Sequence, residues 1–394
     1  MRCEEFLEHV WVAIIAGGQG TRLFPLSHPE RPKQFCQLTE KDTFIQSVIK
    51  NFTWFDIPAT RFVVVTTNQC QTDLAIEQTL PRGILSQNIL QISPLYGYAG
   101  AMVKAAEFIY NLDPDAIIIN TPSDQYLKLD DSFATAIDNA IVAAKKGRAV
   151  VVGVKVNDLV VATGLGHAVF DPKDKSPCPA IMNFVEKPDK KEANRLMRAG
   201  NSAANTGINV WAAQTVLEAT AALDTSHGLA TDVLMSHLGS RLDLSSGNFV
   251  WHDCGTLQSF YKILPKTPNH KNATLGIHVE RYDCRNSLFV CAEEGYILCA
   301  AGFRDVSLVV ATIEDRTVAV AASLAESQKV KQLAERYDEH REYLIEDFSF
   351  NARNNIVMRG NVENAFAGFV GVENVIIHFY KQPDGRIRIH ASQQ

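Results

Sequence analysis

Between residue 10 and about residue 156, short runs of β-branched apolar residues alternate with longer amphipathic stretches. The apolar runs occupy 12–16, 61–67, 88–92, 116–120 and 149–156. Stretches with helical spacing occupy 44–52, 71–80, 99–112 and 131–146. In the last of these, Phe133, Ile137, Ala140, Ile141 and Ala144 share one face. Runs that are apolar throughout, rather than at every second position, predict strands buried on both faces. The expected fold class is therefore α/β, a mainly parallel sheet with helices on each side.

Beyond Gly153 the rhythm loosens. Strands are predicted at 166–170, 180–185 and 205–212, with helices at 190–199 and 213–222, and the block ends around 251–262. A connection containing proline and asparagine (266–274) then leads into short strands with few long helices. We expect a first domain over 1–265 and a smaller β-rich region over 266–394. Within the latter, Arg285-Asn-Ser-Leu-Phe-Val resembles Arg353-Asn-Asn-Ile-Val-Met, and Gly302-Phe-Arg-Asp-Val resembles Gly371-Val-Glu-Asn-Val, at offsets of 68 and 69 residues. A predicted helix at 327–343 separates the copies. Repeated short strands of this kind suit coils of a β-helix, with the Gly302 and Gly371 segments equivalent. Two unrelated β segments are the other reading.

Composition narrows the class. The 44 acidic residues outnumber the 38 basic ones, so no basic footprint for nucleic acid is present. No apolar run approaches the ~20 residues that span a bilayer, and Glu4, Glu5 and Glu8 ahead of the first apolar run are wrong for a signal peptide. The eight cysteines form no CxxC pair and suit free thiols in a reducing compartment. We expect a cytoplasmic globular protein without a membrane or nucleic-acid partner.

The most informative segment is Ala16-Gly-Gly-Gln-Gly-Thr-Arg-Leu-Phe-Pro-Leu-Ser, followed by Arg31-Pro-Lys-Gln-Phe. Gly17, Gly18 and Gly20 follow the first buried strand directly, where backbone N–H groups can converge on an anion. Such strand ends are where α/β sheets take ligands. A P-loop would need Gly-Lys-[Ser/Thr], and the chain has Gly20-Thr-Arg. A dinucleotide fingerprint starting at Gly18 would need a small sixth residue and meets Leu23. What remains is a third kind of phosphate loop with two cations, Arg22 and Lys33, suited to charge building up on a leaving pyrophosphate.

These motifs resemble those of the sugar-1-phosphate nucleotidyltransferases, and within them the bacterial mannose-1-phosphate guanylyltransferases. Further matches follow in order: Pro122-Ser-Asp, Phe184-Val-Glu-Lys-Pro, Asn205-Thr-Gly-Ile-Asn-Val-Trp and Trp251-His-Asp-Cys-Gly-Thr. The resemblance covers about residues 10–265 and continues faintly to about 335. It implies a Rossmann-like nucleotidyltransferase core. It also implies a reaction in which a nucleoside triphosphate, GTP foremost, and a sugar 1-phosphate, mannose 1-phosphate foremost, give nucleotide-sugar and pyrophosphate. By resemblance, Ala16, Gly17, Gly18, Gly20, Thr21, Pro122 and Ser123 bind the nucleotide. Arg22, Lys33 and Lys187 carry the catalytic charges, and Gly166, Glu186 and Asn205 hold the sugar.

Asp124 and Asp253 each follow an apolar run. A lone Asp at a strand end is ordinarily a helix N-cap; the resemblance instead gives both to Mg²⁺, which takes oxygen ligands and keeps substrate phosphate as the rest. Asp130 and Asp131 read as cap or solvent residues. Glu186 and Lys187 end a strand, and adjacent strand residues point to opposite faces, so the pair is not expected to be simply a mutual salt bridge.

The chain also departs from the guanylyl pattern. Ser93-Pro-Leu-Tyr-Gly-Tyr-Ala-Gly-Ala stands where an Arg-Asn-Thr-Ala-Pro element is usual. Gln125 replaces a histidine, and Ala162-Thr-Gly-Leu-Gly-His lacks a carboxylate and two aromatics. By resemblance this segment contacts the base, and Tyr96 and Tyr98, which flank it, can stack on a ring or serve the core. The departures motivate a second reading, a regulatory subunit that binds nucleotide-sugar without turnover. A homodimer is expected, because stacked coils leave edges that need covering.

Overall fold

The computed structural model describes residues 4–393 apart from 19, 38–41, 226–227, 277, 292–294, 315, 340–356, 361–364, 371, 373–374 and 384–385. The chain divides into two compact units. One comprises Met1–Gly17 with Ile45–Asp253, the other Gly18–Phe44 with Cys254–Gln394. The boundary expected at 265/266 falls inside the second unit, between the helix Leu257–Ile263 and the strand Ala273–Leu275.

The first unit contains β1 (Val10–Ile15), β2 (Phe62–Thr66), β3 (Ile89–Gln91), β4 (Ile117–Pro122), β5 (Tyr126–Leu127), β6 (Ala149–Val154), β7 (His167–Phe170), β8 (Ile181–Val185), β9 (Ser202–Ala212), β10 (Leu242–Gly247) and β11 (Trp251–His252). The main sheet runs β10-β6-β9-β4-β1-β2-β3, with β7 and β8 attached beside β9; β5 and β11 form a separate ribbon. Every strand on the main path shares one direction except β9, which is antiparallel to both β4 and β6. Every residue of β1, β2 and β6 is buried, as their unbroken apolar sequences predict. The helix Asp131–Ala144 buries Phe133, Ile137, Ala140, Ile141 and Ala144, the face read from its spacing, and Asp130 caps it by accepting a bond from the Phe133 N–H at 2.9 Å.

β10 escaped the sequence pattern because its interior is half polar. Asp243 and Ser245 are buried there, Asp243 gripped by the Arg148 guanidinium and Ser245 donating to the Ala136 carbonyl at 2.7 Å. Two short helices, Leu159–Thr163 and Thr231–Leu238, were also not predicted.

The second unit contains β12 (Ala273–Leu275), β13 (Val279–Tyr282), β14 (Leu288–Cys291), β15 (Tyr296–Ala301), β16 (Val306–Ile313), β17 (Arg316–Ser323), β18 (Val357–Gly360), β19 (Ala365–Val370), β20 (Val375–Lys381) and β21 (Ile387–Gln393). One sheet has the order β12-β14-β16-β17-β19 and the other β13-β15-β21-β20-β18. From β12 to β16 the chain alternates between the sheets and pairs in parallel within each, which is the path of a β-helix coil.

The internal repeat has a structural counterpart. β14 and β18, β15 and β19, and β16 and β20 each start 69 residues apart. The pairings correspond as well. The parallel pairs β14·β16 and β15·β21 match β18·β20 and β19·β17, and the antiparallel hairpin β16·β17 matches β20·β21. The two copies therefore exchange sheets: β14 lies in the first sheet and β18 in the second. Residues 353–356 and Gly371 lie outside the described residues. The predicted helix at 327–343 is a 3-10 turn, Leu324–Lys329, leading into an α-helix, Val330–Glu339; its last residues are likewise outside. Among the described residues no disulfide forms, and no helix is long and apolar enough to cross a membrane.

Candidate active site

The candidate residues form two sets, one in each unit. In the first unit, β1 and β4 pair in parallel with Ile15 opposite Pro122. Ala16-Gly17 and Pro122-Ser-Asp therefore leave neighbouring strands at the same edge. The Ser123 N–H donates to the Ile15 carbonyl at 3.2 Å, and the Ala16 N–H to the Val65 carbonyl at 2.7 Å. Gly17 lies against Thr67: a Cβ there would stand 2.5 Å from the Thr67 methyl, so this position has no room for a side chain. Its carbonyl accepts from Thr67 Oγ1 at 3.1 Å and Gln71 Nε2 at 3.3 Å. Thr67 and Gln71 carry no motif in the sequence: they are polar residues on either side of Asn68, which caps the helix Gln69–Thr79.

Asp124 and Asp253 lie on the segments that border the same end of the β5–β11 ribbon. Trp251 pairs with Leu127 and His252 with Tyr126, so Asp253 follows the paired residues where Gln125 and Asp124 precede them. Neither Asp is a helix cap. The helix after Asp124 is capped by Asp130, and the helix after Asp253 by Thr256 in a capping box with Ser259. Burial, and then the negative charge of Asp124, hold the Tyr98 phenol far above its ordinary range.

The sugar-side residues converge on three antiparallel strands. His167 pairs with Val185 of β8 and Ala204 of β9, so Gly166, just before β7, lies level with Glu186, just after β8, and with Asn205 inside β9. The Asn205 N–H donates to the Gly166 carbonyl at 2.8 Å. A Cβ on Gly166 would lie 2.6 Å from Glu186 Oε2 and 2.6 Å from the Phe184 ring.

Asn205 sits where the β6–β9 register shifts between Val151 and Gly153. Gly207, at φ +80°, makes this irregularity possible. Its N–H donates to Asn205 Oδ1 at 2.8 Å, which engages the amide oxygen, and its carbonyl accepts from Tyr98 Oη at 3.1 Å. Tyr98 is thus tied to the sugar-side strand, which its position in the base segment did not suggest.

One expectation is corrected. Lys187 Nζ lies 3.3 Å from Glu186 Oε1, so the two do pair. The alternation rule fails because Lys187 has left the strand: its φ is +43°, immediately before Pro188. With the Lys187 side chain 67% exposed, this pair adds little stability and is free to exchange for another anion.

The second unit holds Gly18, Gly20, Thr21, Arg22 and Lys33. Gly20 is left-handed at φ +66° and opens the 3-10 turn Thr21–Leu23. A Cβ on it would lie 2.2 Å from the Lys33 Cβ, so the glycine segment rests directly on the second motif. Gln34 Nε2 donates to the Gly18 carbonyl at 3.0 Å, and Ser27 Oγ to the Gly20 carbonyl. Lys33 is buried, with its ammonium 5.4 Å from the Phe44 ring centroid, whereas Arg22 is exposed. Around Gly18 a Cβ would meet nothing within 4 Å, so sterics do not demand glycine there.

The "Nucleotidyl transferase" family model matches residues 12–270. The chain is similar to a mannose-1-phosphate guanylyltransferase of Sinorhizobium fredii, 30% identical over 215 residues, which are 54% of this chain and 41% of that one. It is similar to the alginate biosynthesis protein AlgA of Pseudomonas aeruginosa, 30% identical over 205 residues, covering 52% and 42%. These matches span about two fifths of the relatives' length. A solved structure from Thermus thermophilus, called a mannose-1-phosphate geranyltransferase, superposes with a TM-score of 0.67 at 22% identity over 84% of this chain and 99% of that one. At that identity it speaks for the fold.

Proposed function

The chain belongs to the nucleotidyl transferase family, and from that premise we propose that it joins a nucleoside triphosphate to a sugar 1-phosphate, releasing pyrophosphate. Mannose 1-phosphate and GTP lead as substrates, since two of its relatives are named for mannose-1-phosphate guanylyl transfer and alginate synthesis. The observation that carries the reading is that Gly166, Glu186 and Asn205 lie level with one another on the adjacent strands β7, β8 and β9. A carboxylate and an amide NH₂ flanking a glycine offer the acceptor and donor that sugar hydroxyls need.

In this reading an oxygen of the sugar phosphate attacks the α-phosphorus in line, one P–O bond forms, and the bond to pyrophosphate breaks. Lys187 orients the attacking phosphate by exchanging Glu186 for it. Arg22 and Lys33 answer the charge on the leaving group, with the glycine segment binding the phosphates. No protein nucleophile is required, because positioning and charge supply the rate.

The donor set at Asp124 and Asp253 fits Mg²⁺. Two carboxylates are what that ion takes from protein when substrate phosphates and water complete its shell. Among the described residues no third ligating side chain joins them. When bound, the ion would neutralise charge on the transferring phosphates. Two copies of the chain are proposed to pair, the motive being the exposed edge strand β13.

The test is a pyrophosphate-release screen of several sugar 1-phosphates against the four common nucleoside triphosphates with Mg²⁺. The strongest signal is expected for mannose 1-phosphate with GTP. Tight binding of a nucleotide-sugar with no release in any pairing would refute turnover and favour the regulatory reading.

A further inference from the structure

Gln125 stands where the resemblance leads one to expect a histidine, immediately after Asp124. It is 3% exposed, and both ends of its amide are committed to protein. Trp251 Nε1 donates to Gln125 Oε1 at 2.5 Å, and Gln125 Nε2 donates to Thr121 Oγ1 at 2.8 Å. Thr121 Oγ1 in turn lies 3.2 Å from the Pro122 carbonyl, to which it donates. Three hydrogen bonds thus run in one direction from β11, through Gln125, to the backbone two residues before Asp124. Buried bonds aligned head to tail reinforce one another, and leaving any partner unmade is costly.

The placement of this relay gives it a consequence. The bond from Gln125 back to Thr121 closes the turn that carries Asp124. The bond from Trp251 fixes the strand whose next-but-one residue is Asp253. The Ser123 N–H, donating to Ile15, pins the same turn to β1. We propose that Gln125 is a positioning residue that sets the spacing of Asp124 and Asp253, and so the affinity for a divalent cation. This rests on the reading of those two carboxylates as cation ligands. A neutral imidazole offers one donor and one acceptor, the same valence Gln125 uses here. The departure at 125 therefore preserves the link.

The test measures Mn²⁺ binding by electron paramagnetic resonance, with the full chain and GTP present, beside thermal melting. Gln125→Leu and Trp251→Phe should each weaken Mn²⁺ binding by about tenfold, the scale set by losing an outer partner of a metal site. The double variant should be no weaker than Gln125→Leu alone, since both cut one relay. Gln125→His should stay within about twofold of the parent. Should Gln125→Leu fail to fold, Trp251→Phe, which keeps an aromatic ring but removes the N–H donor, and Thr121→Val carry the comparison. If the parent loses Mn²⁺ on Asp124→Asn or Asp253→Asn while the relay variants bind normally, the positioning role is overturned and the cation site stands. If parental binding depends on neither Asp, both fall.

Discussion

Gly166→Ala tests the sugar-side geometry with one added methyl group. Gly166 is not in the left-handed region, so alanine can adopt its backbone, and the effect is steric alone. The new Cβ would stand 2.6 Å from both Glu186 Oε2 and Phe184 Cζ. Ordinary contact needs ~3.5 Å, so something must move by roughly 0.9 Å. Glu186 can swing its carboxylate away cheaply. The Phe184 ring cannot, because it packs against the core beside Ala168, Ala203 and Leu244. The displacement is therefore expected to fall on Glu186 and the Gly166 backbone, the two groups proposed to hold the sugar. A misplacement of about 1 Å can cost ~10²-fold in rate, about 2.7 kcal/mol.

The assay is steady-state pyrophosphate release with each substrate varied in turn. We expect kcat/KM for the sugar phosphate to drop by about 30- to 100-fold, with KM for the nucleotide within about twofold. Overpacking should cost about 1–3 kcal/mol of stability, so melting is followed in parallel. Gly164→Ala is the control, because its Cβ would meet only the Val161 carbonyl at 3.5 Å. If Gly166→Ala keeps parental kinetics for the sugar phosphate, Gly166 does not line the sugar site.

Arg22→Ala should lower turnover at least ~10²-fold without shifting the melting temperature, since the side chain is exposed; near-parental turnover would remove Arg22 from the chemistry. Asp124→Asn and Asp253→Asn should each abolish Mg²⁺-dependent pyrophosphate release, and a variant keeping half the activity would exclude that residue as a ligand. Tyr98→Phe removes the bond to Gly207 and should cost about 1 kcal/mol of stability, together with a several-fold rise in KM for the sugar phosphate; unchanged KM would confine Tyr98 to a core role. Because burial and Asp124 hold its phenol protonated, the parent should show no alkaline spectral transition from Tyr98 in the range of ordinary tyrosines, which difference absorbance at 295 nm against Tyr98→Phe can check.

Local pattern carried much of the fold. Three of the apolar runs became fully buried strands, whereas 88–92 became β3, whose residues are half-buried or exposed; the helix read at 190–199 spans Lys190–Ala199. What stayed hidden depends on contacts far apart in sequence. The direction of β9 is set by pairing with β4 and β6, and Ser202–Ala212 looks the same in either orientation. Segment Gly18–Phe44 belongs with the C-terminal part, where Phe24 meets Tyr337 at 5.2 Å between ring centroids and Phe44 meets Phe260 at 6.2 Å. No periodicity within the segment announces those partners. In the site, motif residues were legible by type, while Lys187 was misjudged because one left-handed backbone angle lies outside any strand pattern.

The departures from the guanylyl pattern take a different meaning in three dimensions. Read along the chain, Gln125, Tyr98 and His167 are recognition residues that have changed identity. In the fold each is turned toward protein. Gln125 links Trp251 to Thr121, Tyr98 donates to Gly207, and the buried His167 ring lies 2.9 Å from the Ala162 carbonyl. A polar side chain spent on such a tie has less to offer a base or a sugar, yet it can fix the backbone that meets them. Changes at these places therefore bear first on the placement of Asp124, Asn205 and Gly166. Selectivity would then shift through geometry, and a regulatory chain freed from turnover would have little need of ties that lead to Asp124 and Asn205.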